Sequence, residues 1–127
     1  MEHEALTLTV LAPAFTVCKV RDYSETDLTA EFTFTGRTDR ELSLVCPTER
    51  TPRNTTARED GWRGFRIEGQ LDFGLTGILA GISAVLAAEK IGIFAVSTFD
   101  TDYVLVKAEN LARATQALKA AGYAVEG

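Results

Sequence analysis

Between Gly61 and Gly122 the hydrophobic period switches from that of a strand to that of a helix and back, twice. That alternation constrains the fold more than any other feature of the chain. Trp62–Gly69 sets Phe65 and Ile67 on one strand face, with Arg66 and Glu68 on the other. From Gly77 onward Ile78, Ile82, Val85 and Leu86 fall on one helical stripe, and Thr76 is placed to cap it. Ala80, Ala84, Ala87 and Ala88 favour the helix and allow close approach to a sheet, and Gly92 stands where glycine can end it. Ile93–Val96 and Tyr103–Val106 are apolar enough for central strands. Leu111, Ala114, Leu118 and Ala121 form a second stripe that Gly122 closes, and Tyr123-Ala124-Val125 supplies a last short strand. The order is βαββαβ, an α+β ferredoxin-like arrangement with two helices over one face of an antiparallel sheet.

The first half is less regular. Leu6–Val10 alternates apolar and polar residues, Pro13 interrupts, and Phe15–Val20 resumes the alternation. Residues 21–31 are polar, with room for one helical turn. Phe32-Thr33-Phe34-Thr35, a turn at Gly36–Arg40 and Leu42–Val45 read as a hairpin. Pro47–Gly61 has the composition of a loop or linker and divides the chain into residues 1–60 and 61–127. A faint repeat accompanies the division. Sliding the chain by 61 positions sets Asp39 on Asp100, Glu41 on Asp102, Leu44 on Leu105 and Val45 on Val106.

Composition excludes several classes. With 127 residues the chain makes one compact globule or two small units sharing a core. At 46% hydrophobic and 24% charged it is not a disordered chain. Its net charge of −5 repels phosphate backbones, so no nucleic-acid partner is expected. No apolar run reaches the ~20 residues that span a bilayer, and Met1-Glu2-His3-Glu4 lacks the basic start of a signal peptide. The expectation is a cytoplasmic protein with no membrane partner. Cys18 and Cys46 sit in apolar runs and read as buried free thiols. One histidine and no Cys/His cluster leave no metal site, and no cofactor is expected.

Two segments carry the chemistry. Gly69-Gln70-Leu71-Asp72-Phe73 leads to Thr76-Gly77-Ile78 at a helix start, and Ser97-Thr98-Phe99-Asp100-Thr101-Asp102-Tyr103 lies at a strand end. Together with Trp62-Arg63 and Val104-Leu105-Val106, these motifs resemble the ACT-domain proteins of the CASTOR type. That group includes small bacterial tandem-ACT proteins and arginine sensors of animals, and is related to the regulatory ACT domains of aspartate kinases. The match is good over Trp62–Gly122 and extends to Phe15–Lys19 and Arg37–Cys46. The resemblance implies a tandem fold whose residues 1–60 are a degenerate ACT-like half. It also implies a homodimer formed through ACT sheets, a free amino acid as ligand, and no catalytic activity.

Carried onto this chain, the family's glycine loop maps to Asp72, Phe73, Gly74, Leu75, Thr76 and Gly77, and its strand-end segment to Thr98, Phe99 and Asp102. The arginine sensors have a longer loop with an acidic residue that this chain replaces around Leu75, which removes the reason to expect a cationic ligand side chain. A helix start offers unpaired N–H groups and about half a positive charge, suited to a carboxylate. Gly74 and Gly77 allow close approach. Asp102 is the first choice of partner for an ammonium, Asp100 the second, and Phe99 can wall the pocket.

Plainer roles stand beside these. Asp72, Asp100 and Asp102 are also turn formers, Thr76 a simple cap, the two glycines packing devices, and Phe99, Trp62 and Tyr103 packing residues. Two other classes remain open. Asp100 and Asp102 would be an acid/base pair only if both faced one way, which a strand provides and a turn does not. An RNA-binding sheet needs basic residues beside its aromatics, and the strands carrying Phe94 and Tyr103 hold scarcely any. A protein–protein interaction module whose ligand site has decayed is the alternative function.

Overall fold

The computed structural model describes residues 6–68 and 77–127. Among these, seven strands and two α-helices follow one another: β1 (Thr7–Val20), β2 (Phe34–Arg37), β3 (Leu42–Pro47), β4 (Thr55–Ile67), α1 (Ile78–Ala88), β5 (Phe94–Ser97), β6 (Asp102–Lys107), α2 (Leu111–Ala120) and β7 (Ala124–Glu126). Short 3-10 turns at Thr48–Arg50 and Ala108–Asn110 follow β3 and β6. The chain divides into two compact units. A helical unit takes residues up to Ala12 together with Arg63–Gly127, and an all-strand unit takes Pro13–Trp62.

In the helical unit β4, β6 and β5 are neighbours in that order, β1 lies beside β4, and β7 pairs in parallel with β1, Thr7 opposite Ala124. The alternating pattern of β4 puts Phe65 and Ile67 into the core with Leu8, Val104, Val106, Ile82, Leu86 and Leu118. Burying each Leu, Ile or Phe contributes about 1.5–3 kcal/mol. The predicted stripes supply this core, with Ile82 and Leu86 buried from α1 and Ala114 and Leu118 from α2.

Both helices end in the same way. After α2, Gly122 takes a left-handed φ of 106° while Tyr123 donates to the Leu118 carbonyl and Gly122 to that of Lys119, each at 3.0 Å. After α1, Ile91 donates to Leu86 at 3.0 Å and Lys90 to Ala87 at 2.9 Å. Here Lys90 holds the left-handed position, at φ 60°. Gly92 therefore does not end α1 as expected. The cap is set by burial of Ile91 beside Leu86, and the lysine accepts the strain this imposes.

In the all-strand unit β1 lies between β3 and β4, and β2 flanks β3. Cys18, Val20, Leu44 and Cys46 form its core, and Phe15 meets Phe32 edge to face at 6.1 Å and 88°. Residues 21–31 hold no helix. Asp22 and Asp27 instead accept the backbone N–H groups of Ser24 and Thr29, which turns the chain locally.

Three further expectations need correction. Pro13 does not interrupt β1, which runs unbroken from Thr7 to Val20. Thr55–Gly61 is strand rather than linker, because its charged residues stand exposed along β4. Phe32 lies outside β2, at a left-handed φ of 59°.

The two hairpins match in register, at an offset other than the expected one. Phe34 pairs with Val45 and Arg37 with Leu42, while Phe94 pairs with Leu105 and Ser97 with Asp102. From Phe34 to Phe94, and from Leu42 to Asp102, the offset is 60 positions, not 61. One residue matters, since it exchanges the two faces of a strand. At the observed offset Leu44 corresponds to Val104 and Cys46 to Val106, and all four belong to cores.

Candidate ligand-binding site

The helix start retains the donors that a carboxylate needs. Gly77, at φ 82° and ψ 0°, is the N-cap of α1, and its carbonyl accepts the Gly81 N–H at 2.8 Å. Among the described residues no side chain caps this end, and no acidic residue stands in the first turn. Thr76 was the expected cap, and Gly77 takes that position instead. Asp72, Phe73, Gly74, Leu75 and Thr76 lie outside the described residues.

The strand-end segment is the tip of the β5–β6 hairpin. The Thr101 carbonyl accepts both the N–H and the hydroxyl of Thr98, each at 2.9 Å. Thr98 thus has its hydroxyl engaged within the turn. Phe99 is 75% exposed at the tip. Asp100 is exposed in the turn, and Asp102 is half-buried as the first residue of β6, opposite Ser97. Because one aspartate lies in the turn and the other in the strand, no shared strand face pairs the two carboxylates.

Sequence reasoning missed the residue that holds this tip. Thr101 is buried, and its hydroxyl donates to the Ile67 carbonyl at 2.7 Å. Ile67 ends β4, so the tether pins the hairpin to the strand that leads towards α1. The alternation of polar and apolar residues carries no sign of such a bond, since its partner is 34 positions away.

A polar chain crosses the neighbouring strands of the same unit. Arg66 Nε donates to Glu68 Oε2 at 3.1 Å. The Thr9 hydroxyl also bonds Glu68, and with Arg66 it holds the carboxyl below the usual range. Arg66 is hydrogen-bonded to Tyr103 as well, and its own pKa is raised, chiefly by Glu68. Phe65 and Ile67 point into the core, so Arg66 and Glu68 occupy the opposite face. The Glu68 backbone N–H donates to Thr7 at 2.9 Å, fixing the end of β4 against β1.

In the all-strand unit the buried Thr16 hydroxyl donates to Asp60 at 2.8 Å and meets the Thr48 hydroxyl at 3.0 Å, while Arg58 clamps the same Asp60 oxygen. Burial pushes the Cys18 thiol up to about 11 and raises Cys46 in the same direction. These are packed thiols with little thiolate character near neutral pH. Among the described residues, no group of three or more His, Cys, Asp or Glu side chains could hold a metal ion. No described helix is long and apolar enough to cross a membrane.

A family model for the ACT domain matches residues 57–120, half of the chain. The chain belongs to the ACT-domain family. A protein of Agobacterium tumefaciens is 31% identical, with a TM-score of 0.85 over 97% of this chain and 93% of that one. A possible transport protein of Vibrio cholerae is 20% identical, with a TM-score of 0.75 over 93% and 91% of the two chains. The ligand-free regulatory subunit of aspartate kinase from Thermus thermophilus is 10% identical and scores 0.60 over 90% and 96%. The last two likenesses concern the fold alone. The aspartate-kinase relationship implied by the motifs is thus met at the level of fold.

Proposed function

We propose that this ACT-domain chain is a non-catalytic sensor that binds a free amino acid at one end of the helical unit and acts as a cytoplasmic homodimer. The observation that carries the reading is the Thr101 hydroxyl bond to Ile67. It ties the tip bearing Phe99, Asp100 and Asp102 to the strand end from which the chain proceeds to the start of α1. On this reading the α1 N–H groups take the ligand carboxylate, Asp102 takes its ammonium, and Phe99 walls its side chain. The family resemblance assigns Asp72, Phe73, Gly74, Leu75 and Thr76 to the same site.

The matching registers of the two hairpins favour a tandem arrangement of the CASTOR type, with residues 1–60 as the degenerate half. Association is supported by α1, which has no charged residue from Ile78 to Ala88 and exposes Ala80, Ala84, Ala87 and Ala88. A helix apolar on all sides suits burial in an assembly. The same observation, with the exposed Phe99, favours the second reading, an interaction module without a ligand.

A thermal-shift screen of the free amino acids against wild type and Asp102→Ala separates the two readings. A ligand at about 100 times its Kd adds roughly 2.7 kcal/mol, a shift of several degrees for a chain of this size. A selective shift lost in Asp102→Ala supports the sensor. No shift with any amino acid at millimolar concentration overturns it in favour of the interaction module.

A further inference from the structure

Away from the hairpin tip, the helical unit holds a cavity of about 370 Å³ beside α2. Its apolar wall is formed by Val10 of β1, Leu111 of α2 and Val125 of β7. Its charged lining is Arg63 of β4, Lys119 of α2 and Glu126 of β7. Leu111, Thr115 and Lys119 are four residues apart along α2, so one helical stripe carries the lining from apolar to cationic.

Arg63 is the residue that asks for a ligand. One guanidinium N–H donates from Nη2 to the Leu11 carbonyl at 3.1 Å, which anchors the side chain on β1. Its Nε is buried with no acceptor. Among the described residues no carboxylate forms an ion pair with Arg63, although Glu126 lines the same cavity. Arg63 lines the cavity, and guanidinium geometry matches the fork of a carboxylate. Arg63 and Lys119 give the lining a cationic end that suits a carboxylate, and Glu126 stands against further negative charge.

We propose that this cavity binds a small monocarboxylate with an apolar body. The carboxylate sits on Arg63 and Lys119, and the hydrocarbon part lies against Val10, Leu111 and Val125. This site is separate from the tip of the β5–β6 hairpin and does not depend on amino-acid binding there.

The test is titration of the full chain with isovalerate, followed by backbone amide NMR, with leucine and inorganic phosphate run in parallel. Isovalerate is expected to shift the amides of Val10, Leu111, Thr115 and Val125. Lys119→Gln, a change at an exposed side chain, weakens its binding by about tenfold, as loss of a charge-assisted contact should. Glu126→Gln tightens it, and Asp102→Ala leaves it unchanged. The proposal is overturned if isovalerate leaves those amides unmoved, or if Arg63→Lys and Lys119→Gln both bind it as wild type does. Equal binding of phosphate overturns the monocarboxylate assignment, and preference for leucine over isovalerate overturns it in favour of a zwitterion.

Discussion

The β2–β3 and β5–β6 hairpins have the same register and close their tips with the same backbone bond, Thr38 to Glu41 at 3.0 Å and Thr98 to Thr101 at 2.9 Å. They differ in where the remaining polar groups go. In the first tip the Thr38 hydroxyl accepts from the Arg40 and Glu41 amides, and Glu41 accepts from Ser43. These tip bonds stay inside the hairpin, while farther along β3 the Ser43 carbonyl accepts the Tyr23 hydroxyl at 2.8 Å. In the second, the residue matching Glu41 is Thr101, and its hydroxyl leaves the hairpin for the Ile67 carbonyl. A self-contained tip is a surface turn, whereas a tethered tip is part of a larger construction. The tethered one belongs to the unit that also has helices.

The largest effect should come from the cores behind the two hairpins. Leu44 is fully buried in the all-strand unit, as its counterpart Val104 is in the helical unit. Leu44→Ala is expected to cost about 2–5 kcal/mol, and Val104→Ala somewhat less because fewer atoms are removed. Urea unfolding of both variants measures this. If Leu44→Ala costs below about 1 kcal/mol, the first hairpin is not packed as its counterpart is, and the likeness stops at the backbone.

The tips themselves give the next effect. Thr101→Val keeps the shape but leaves the Ile67 carbonyl without its hydroxyl donor, at a cost of about 1–3 kcal/mol. Glu41→Gln, at the matching position of the other tip, is expected to stay within about 0.5 kcal/mol because the side chain is exposed. Equal costs in chemical denaturation would erase the distinction between a tethered and a self-contained tip.

The same contrast explains what could be read from the sequence. The order from β4 to β7 was legible because Phe65/Ile67, Ile82/Leu86 and Ala114/Leu118 each repeat with the period of their element. Gly122 was legible as a stop because it supplies the left-handed residue itself. Lys90 was not, since its conformation follows from burial of Ile91, a tertiary fact. Thr55–Gly61 looked like a linker because charge dominates it, yet β1 provides a partner strand along its length. At the candidate site, the positions of Thr98, Phe99, Asp100 and Asp102 at a strand end followed from the turn composition. The bond that holds them did not, because it joins residues far apart in the chain.

The smallest expected effect concerns pH, and it again sets one hairpin against the other. Where the helical unit has Val106, the all-strand unit has Cys46, packed in one cluster with Cys18. The Cys18 thiol is pushed from 9.0 up to about 11, first by burial and then by Cys46, with Asp60 adding to the rise and Arg58 opposing it. The folded state therefore holds the thiol proton more tightly than the unfolded chain does. Its contribution is fully present below pH 9.0 and is lost as pH climbs through about 11. Burial also raises Tyr123 in the helical unit, so alkaline loss has a source on each side. Melting temperatures of wild type, Cys18→Val and Tyr123→Phe across this range separate the two. Cys18→Val should flatten part of the alkaline decline and leave the remainder to Tyr123. An unchanged decline in Cys18→Val would mean that its thiol is hydrated in the folded chain, and that the all-strand core is looser than its helical counterpart.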